Sequence, residues 1–456
     1  MSASQQYIDL YRTHADTICS HSSGIMNSRR AGALDLLMST PLPRRGDEGY
    51  ARFSIDDAFA PDYGINLTRA PYEADDSLAF TCLIPKVSSL MATVINDSLR
   101  LSSNLRRSIP DGVTVCTLAE ASERMPEIVE KFYGRIARQT PQVALNTLLA
   151  QEGLFIHVAK GVNLNRPLQI TNLLATDTDF MAVRRVLVVM EENSAAEILV
   201  CDHTRNPEKK YLVSQVIEMH LAAGASLAWY DLEESSENTT RISSLYATQD
   251  SGSNLTVNNN TLTGGSTRNE FDIASEGDST STELSGMVIA SGHQITDNST
   301  LVTHSGRHSS SHQLFKYVVD DEASGAFEGL IRVMEGAEFT EALQTNRNLL
   351  ASQGAKMHTQ PQLLINCDEV KCSHGATTGQ LDAAALFYMR QRGIPAEEAR
   401  TMLMQAFMSD VIETVKLEGL RDRLRYLVEK RFSGRRVLCA ECPAHTTTDT
   451  VEGGDA

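Results

Sequence analysis

From residue 153 to about residue 380 the chain is a succession of short runs rich in Val, Ile and Leu, separated by polar or glycine-containing turns. "LFIHVAKGV", "PLQITNLL", "RRVLVVMEE", "AAEILVCD", "YLVSQVIEMHL" and "ASLAWYDL" open the series, and from 240 to 365 it continues with many Ser, Thr and Asn, as in "SNLTVNNNTLT" and "SSSHQLFKYVV". This is roughly two hundred residues of strand texture with no helical spacing in it. A sandwich or barrel also yields short strands, but stacked coils account better for the turn-strand-turn monotony and for the Asn and Ser in the turns. A small-residue marker recurs, with "GAS" at 224, "GSN" at 252, "SGA" at 324, "GAE" at 336 and "GAK" at 354. Its spacings are uneven, so the repeat is degenerate. The expected fold is mainly β, a parallel β-helix core over 153–380.

Helical spacing appears on either side. Residues 1–152 read as mostly helical: "SASQQYIDLYRTHAD" and "NSRRAGALDLLMS" carry apolar residues at helical intervals, and "PLPRRGDEGYARF" breaks the pattern. In "LAEASERMPEIVEKFYGRIA", Ile128, Phe132 and Ile136 share a face, and Pro126 kinks or restarts the helix. Beyond the strands, Asp382 suits the N-cap of "AAALFYMRQR", Gly393 its end, and Pro395 the start of the next helix. That helix stacks Leu403, Phe407, Val411 and Val415, with Met404, Met408 and Ile412 alongside, in a wide stripe. Residues 381–432 form a C-terminal helical region, and the polar end, 433–456, reads as disordered.

A chain of 456 residues suggests two or three structural units. Its 41% hydrophobic and 22% charged residues are those of a globular protein. Lys plus Arg number 41 against 58 Asp plus Glu, a formal charge of −17, which argues against nucleic acid as a partner. The first residues lack the apolar core of a signal peptide, and no run approaches the roughly 18 apolar residues of a membrane span. No membrane association and a cytoplasmic location are expected. The eight scattered cysteines suit a reducing compartment.

The densest chemical cluster is "INCDEVKCSHGATTGQLD", residues 365–382. If it is extended, Cys372 and His374 project to one face and Lys371 and Ser373 to the other. A thiolate beside an imidazole is half of an iron or zinc site, which Cys367 and His358 could extend, although their spacing matches no zinc motif. The alternative is an interior strand with small buried thiols. Cys439 and Cys442 form a Cys-x-x-Cys without a second pair, and they are left out of the site. His304, His308 and His312 recur at steps of four in "THSGRHSSSH". On a strand four residues span roughly 13 Å, too far to share a metal, so they read as polar turn residues on a solvated surface. There is no P-loop, Gly-x-Ser-x-Gly elbow or His-Glu-x-x-His, and a self-contained enzyme has little support.

"NCDEVKCSHGATTGQLDAAALFYMRQRGI" resembles the signature of the SufB/SufD family of iron–sulfur cluster assembly proteins, on its SufD side. "ALNTLLAQEGLFIHVAKGV" (144–162), "GAFEGLIRV" (325–333) and "TEALQTNRNLLAS" (340–352) agree in order, so the resemblance covers most of 140–430 and is loose before it. It implies a right-handed parallel β-helix between helical ends and a scaffold subunit without turnover of its own. That subunit pairs with a SufB-like subunit and binds a SufC-like ABC ATPase through its C-terminal helices. His374 falls on the histidine that faces the partner near a partner cysteine, as a shared ligand of a transient iron–sulfur cluster or a proton handler. Cys372 is its motif neighbour. Leu403, Phe407, Val411 and Ile412 become candidates for ATPase docking, unless the stripe packs on the β-helix. The family allows reduced flavin in the complex, for which no site is legible. A homodimeric scaffold acting without the SufB-like subunit, and a β-helix polysaccharide lyase, are the alternatives.

Overall fold

The structure, a computed structural model, describes residues 3–69, 84 and 87–433. The strand texture is a parallel β-solenoid of about eight turns. From Leu154–Val158 to Lys371–Gln380, successive strands alternate between two sheets, so each strand pairs in parallel with the next but one in sequence. Ile242 lies opposite Arg268, 26 positions on, whereas Ala326 lies opposite His358, 32 positions on. Coil length therefore varies, which is why the repeat looks degenerate.

Side chains alternate between the bore and the outside. Ile198, Trp229, Val257, Leu284 and Phe315 fill the bore as one buried cluster. Outside, the N-terminal helices, including Ala3–Ser20, Arg30–Ser39 and Pro141–Leu149, cover Met181, Leu187, Leu212 and Ile242 of one sheet. The C-terminal helices Ala396–Glu413 and Glu418–Phe432 cover Leu199, Tyr230, Leu232, Met287 and Val318 of the other. Strands buried on both faces read as unbroken apolar runs, as "RRVLVVMEE" does. The bore also holds charge. Arg184 pairs with Asp202 at 2.5 Å and Arg241 with Asp231 at 2.6 Å, all buried, and Glu233 lies 3.9 Å from Arg241. Burial pushes the Glu233 carboxyl up to about 7 and that of Asp97, beside Arg69, up to about 6.

Most corners leading from the sheet of Leu154–Val158 to the other sheet place residues in the left-handed region: Gly161, Asn193, Gly224, Gly252, Ser279, His308, and both Gly336 and Phe339. The glycine marker thus reports only some corners. The "SGA" at 324 opens a strand instead.

Strands also occur ahead of residue 153. Leu90–Ile95 pairs in parallel with Leu168–Leu174, and Ser98–Arg100 and Val113–Thr117 end the two sheets in antiparallel pairing. Pro126 restarts a helix, at its first position. Residues 434–456, including Cys439 and Cys442, lie outside the described residues.

Candidate functional site

Lys356–Ile365 and Lys371–Gln380 are the last strands of their sheets, and among the described residues no coil stacks on them. Cys372, His374, Ala376 and Thr378 lie in register with Ala342, Gln344, Asn346 and Asn348. Those four partners are buried while Glu341, Leu343 and Arg347 are exposed, so they mark the bore-facing side. Cys372 and His374 therefore share the inner face, as the alternation predicts. Lys371 is on the outside, paired with Glu341 at 2.6 Å. Facing an open end, His374 is exposed even though its strand position is interior.

Cys372 is half-buried and packs with Cys367 against Ile331, Val333, Ala337 and Ala342. Burial pushes its thiol pKa up, an effect the Ala342 backbone hydrogen bond opposes and Cys367 reinforces. Beneath His374 the bore is polar. The Gln344 amide donates to Gln313 Oε1 at 3.1 Å, Asn348 donates to Asn346 at 2.7 Å and to Thr378 at 3.2 Å, and Thr359 donates to Asn346 at 2.8 Å. Three coils below His374 the same columns carry Leu284, Gly286 and Val288. The rim of this end is apolar: Phe339, Leu343, Leu364 and Ile365 are exposed.

The structure packs Cys367 beside Cys372, puts His374 on the same strand face as Cys372, and leaves His358 apart. His358 projects from the outer face of the other sheet, 4.0 Å from Glu328, because its register partners Ala326 and Asp297 lie on the outer column. Among the described residues no three His, Cys, Asp or Glu side chains are grouped to hold a metal. The three stepped histidines separate. His308 and His312 are at a corner and on the outer surface, but His304 ends its strand facing the bore. It is buried, bonds Ser311 Oγ at 2.8 Å, and has its pKa pushed down to about 4 by desolvation. The surface reading fails for His304 because the step from 304 to 308 crosses from strand into corner.

The C-terminal helices begin as their caps predict. Asp382 accepts hydrogen bonds from the backbone of Ala384 and Ala385, and Gly393 takes a positive φ. Val411 and Ile412 are buried against the solenoid with Met408 and Val415, so they face inward and not toward a partner. Phe407 is partly covered and lies over the Lys316 ammonium, which donates to the Phe407 carbonyl and pairs with Asp410. Leu403 keeps partial exposure. The more exposed apolar residues are Phe387 (62%), Tyr388 (59%) and Met402 (44%). Sequence reasoning passed over Phe387 and Tyr388, yet "LFYM" is unusually apolar for Ala383–Gln391, a helix with no buried residue.

Fold and site together define a β-solenoid protein whose reactive side chains sit on one open end of the stack. Residues 173–407 match the SufBD core domain of the SUF system for FeS cluster assembly, and residues 1–170 match the SufBD N-terminal region. The chain belongs to the SufBD family of SUF-system iron–sulfur cluster assembly proteins. It is 27% identical over 416 residues to an iron–sulfur cluster assembly SufBD family protein of Synechocystis, covering 89% of this chain and 91% of the relative. With SufD of Bacillus subtilis it shares 27% over 338 residues, 73% of this chain and 76% of the relative. With SufD of Escherichia coli it shares 35% over 158 residues, 35% of this chain and 37% of the relative. Among the described residues no helix is long and apolar enough to cross a membrane.

Proposed function

We propose that the chain is a SufD-type scaffold subunit that pairs through its open coil with a SufB-like subunit and carries an ABC ATPase of the SufC type on its C-terminal helices. The observation behind this reading is an incomplete interior: His374 and Cys372 occupy bore positions in a coil on which none of the described residues stacks, inside an apolar rim. A second solenoid placed end to end would finish the layer, pair the free edges and turn His374 into an interior residue beside partner ligands. The iron–sulfur cluster is cargo built at that junction. His374 supplies one ligand or moves a proton, Cys372 is the weaker candidate, and the remaining ligands come from the partner. The chain needs no turnover chemistry of its own, and its place of action is the cytoplasm. ATPase docking falls on Phe387, Tyr388, Met402 and Leu403, with Val411 and Ile412 supporting them from beneath.

Anaerobic reconstitution of the three-protein complex with wild type and His374→Ala tests this. The variant complex should assemble with normal stoichiometry and lose cluster. Unchanged cluster content would remove His374 from the chemistry. The free edge equally fits a second copy of this chain, so the homodimer is the second reading. Native mass measurement of an equimolar mixture decides between them, heterodimer supporting the first and persistent homodimer the second.

A further inference from the structure

Cys367 has no part in the reading of His374, yet the fold gives it a companion. Cys367 and Cys372 are both free, both partly buried, and both packed against one small cluster of Ile331, Val333, Ala337 and Ala342. In the coil beneath, Ala337 and Ala342 are likewise five positions apart and are buried together in that cluster, so the corner turns side chains at this spacing into one place. A disulfide needs two side chains directed toward each other, and small neighbours leave the sulfur atoms room to meet. Ala342 lies in register under Cys372. Cys367 is on the corner itself, between the exposed Asn366 and Asp368, whereas Cys372 is on the inner face of the strand that follows. Among the described residues the other cysteines lie elsewhere: Cys116 and Cys201 are buried in two different clusters, and Cys19 is on the first helix.

We propose that Cys367 and Cys372 are a modification site of the unpaired chain, closing to a reversible disulfide when it meets hydrogen peroxide. The more open Cys367 sulfur attacks one peroxide oxygen; the O–O bond breaks, and the departing hydroxide takes the thiol proton as water, leaving a sulfenic acid. The Cys372 sulfur then attacks the Cys367 sulfur. The S–S bond forms as the S–O bond breaks, and the second hydroxide leaves with the Cys372 proton as water. Two thiols lose two electrons and one peroxide becomes two waters. A dithiol reductant restores both thiols, as it does the transient disulfides of reducing compartments. The bridge closes the corner whose Glu369 carbonyl accepts the backbone N–H of the rim residue Phe339, so oxidation acts on the end face as well as on Cys372. The bond itself does not rest on the pairing proposed above, whereas its protection by a partner does.

Lys371 stands between the two cysteines, so trypsin separates them and the bridge can be read directly. The full-length chain is treated with hydrogen peroxide in modest excess, remaining thiols are blocked with N-ethylmaleimide, and the digest is analysed by mass spectrometry before and after dithiothreitol. Peptides 357–371 and 372–390 should run as one linked species in most molecules and come apart on reduction. In Cys372→Ser the reaction should stop at a Cys367 sulfenic acid that dimedone captures. Wild-type thiols that stay free at that dose, that bridge to other cysteines instead, or that pass on to sulfinic acid overturn the proposal without any variant. Oxidation of a preformed complex with a SufB-like subunit is the separate arm. Pairing over the open end should slow the bridge by at least about tenfold, the protection that mass action gives when the partner is well above its Kd. Equal rates in complex and free chain would count against the pairing and leave the disulfide standing.

Discussion

A methyl group on Gly306 would stand 1.9 Å from the carbonyl oxygen of Gly277 in the corner below, and one on Gly277 would stand 2.0 Å from the Ser251 nitrogen. These neighbours are backbone and cannot swing aside, so Gly306→Ala should cost about 1–3 kcal/mol or more, read as a lower denaturant midpoint at unchanged slope. His304 gives a second test. Its folded pKa of about 4 lies below the ordinary 6.5, so between those values the unfolded chain binds more protons. Stability should therefore rise with pH across that window, by up to about 3 kcal/mol, and His304→Gln should lose that slope. The two residues also show what a sequence conveys at this scale. Cys372 and His374 could be placed on one face because strand alternation is strict over two positions. His304 could not be placed, because whether it ends a strand or begins a corner depends on coils 26 to 32 positions away.

The helix Ala396–Glu413 shows the same limit for elements. Its wide stripe announced a packed helix, but periodicity does not say whether the covering surface belongs to the same chain or to another. Here the solenoid takes Val411 and Ile412, and the residues left outside are less regular: Phe387, Tyr388 and Met402. Ile412→Ala should cost about 2–5 kcal/mol in thermal or denaturant unfolding, as truncation in a tight core does. Phe387→Ser should leave unfolding nearly unchanged and, on the proposed docking, weaken capture of a SufC-type ATPase by more than tenfold in a binding titration. Equal affinity for wild type and variant would move the docking surface elsewhere. The capped helix starts were legible because caps are local chemistry, as with Asp382. The closing strands Leu90–Ile95, Ser98–Arg100 and Val113–Thr117 were not, because they are short and the first pairs with a strand some 80 positions later.

At the scale of the molecule the solenoid is a tube with a charged lining near one end and a polar, unfinished layer at the other. Glu233, with a folded value of about 7 against 4.5, binds more protons in the folded state, so it contributes stability below that window that is lost as pH rises through it. Glu233→Gln should remove that loss and raise the unfolding midpoint at pH 8 relative to wild type, with little difference at pH 5. Asp97 has the same sign and His304 the opposite one, so differences between variant and wild type are more informative than the total profile. The two ends of the tube also differ in backbone direction. One finishes each sheet with a short antiparallel strand, and at the other two long parallel edges pair with no strand among the described residues. A rod with two adhesive ends would polymerise without limit, whereas one adhesive end consumes itself in a single joining event. Under the proposed end-to-end pairing, the antiparallel closure leaves the far end without a matching long parallel edge among the described residues, so growth along the tube axis would stop at two solenoids and the geometry would set the copy number.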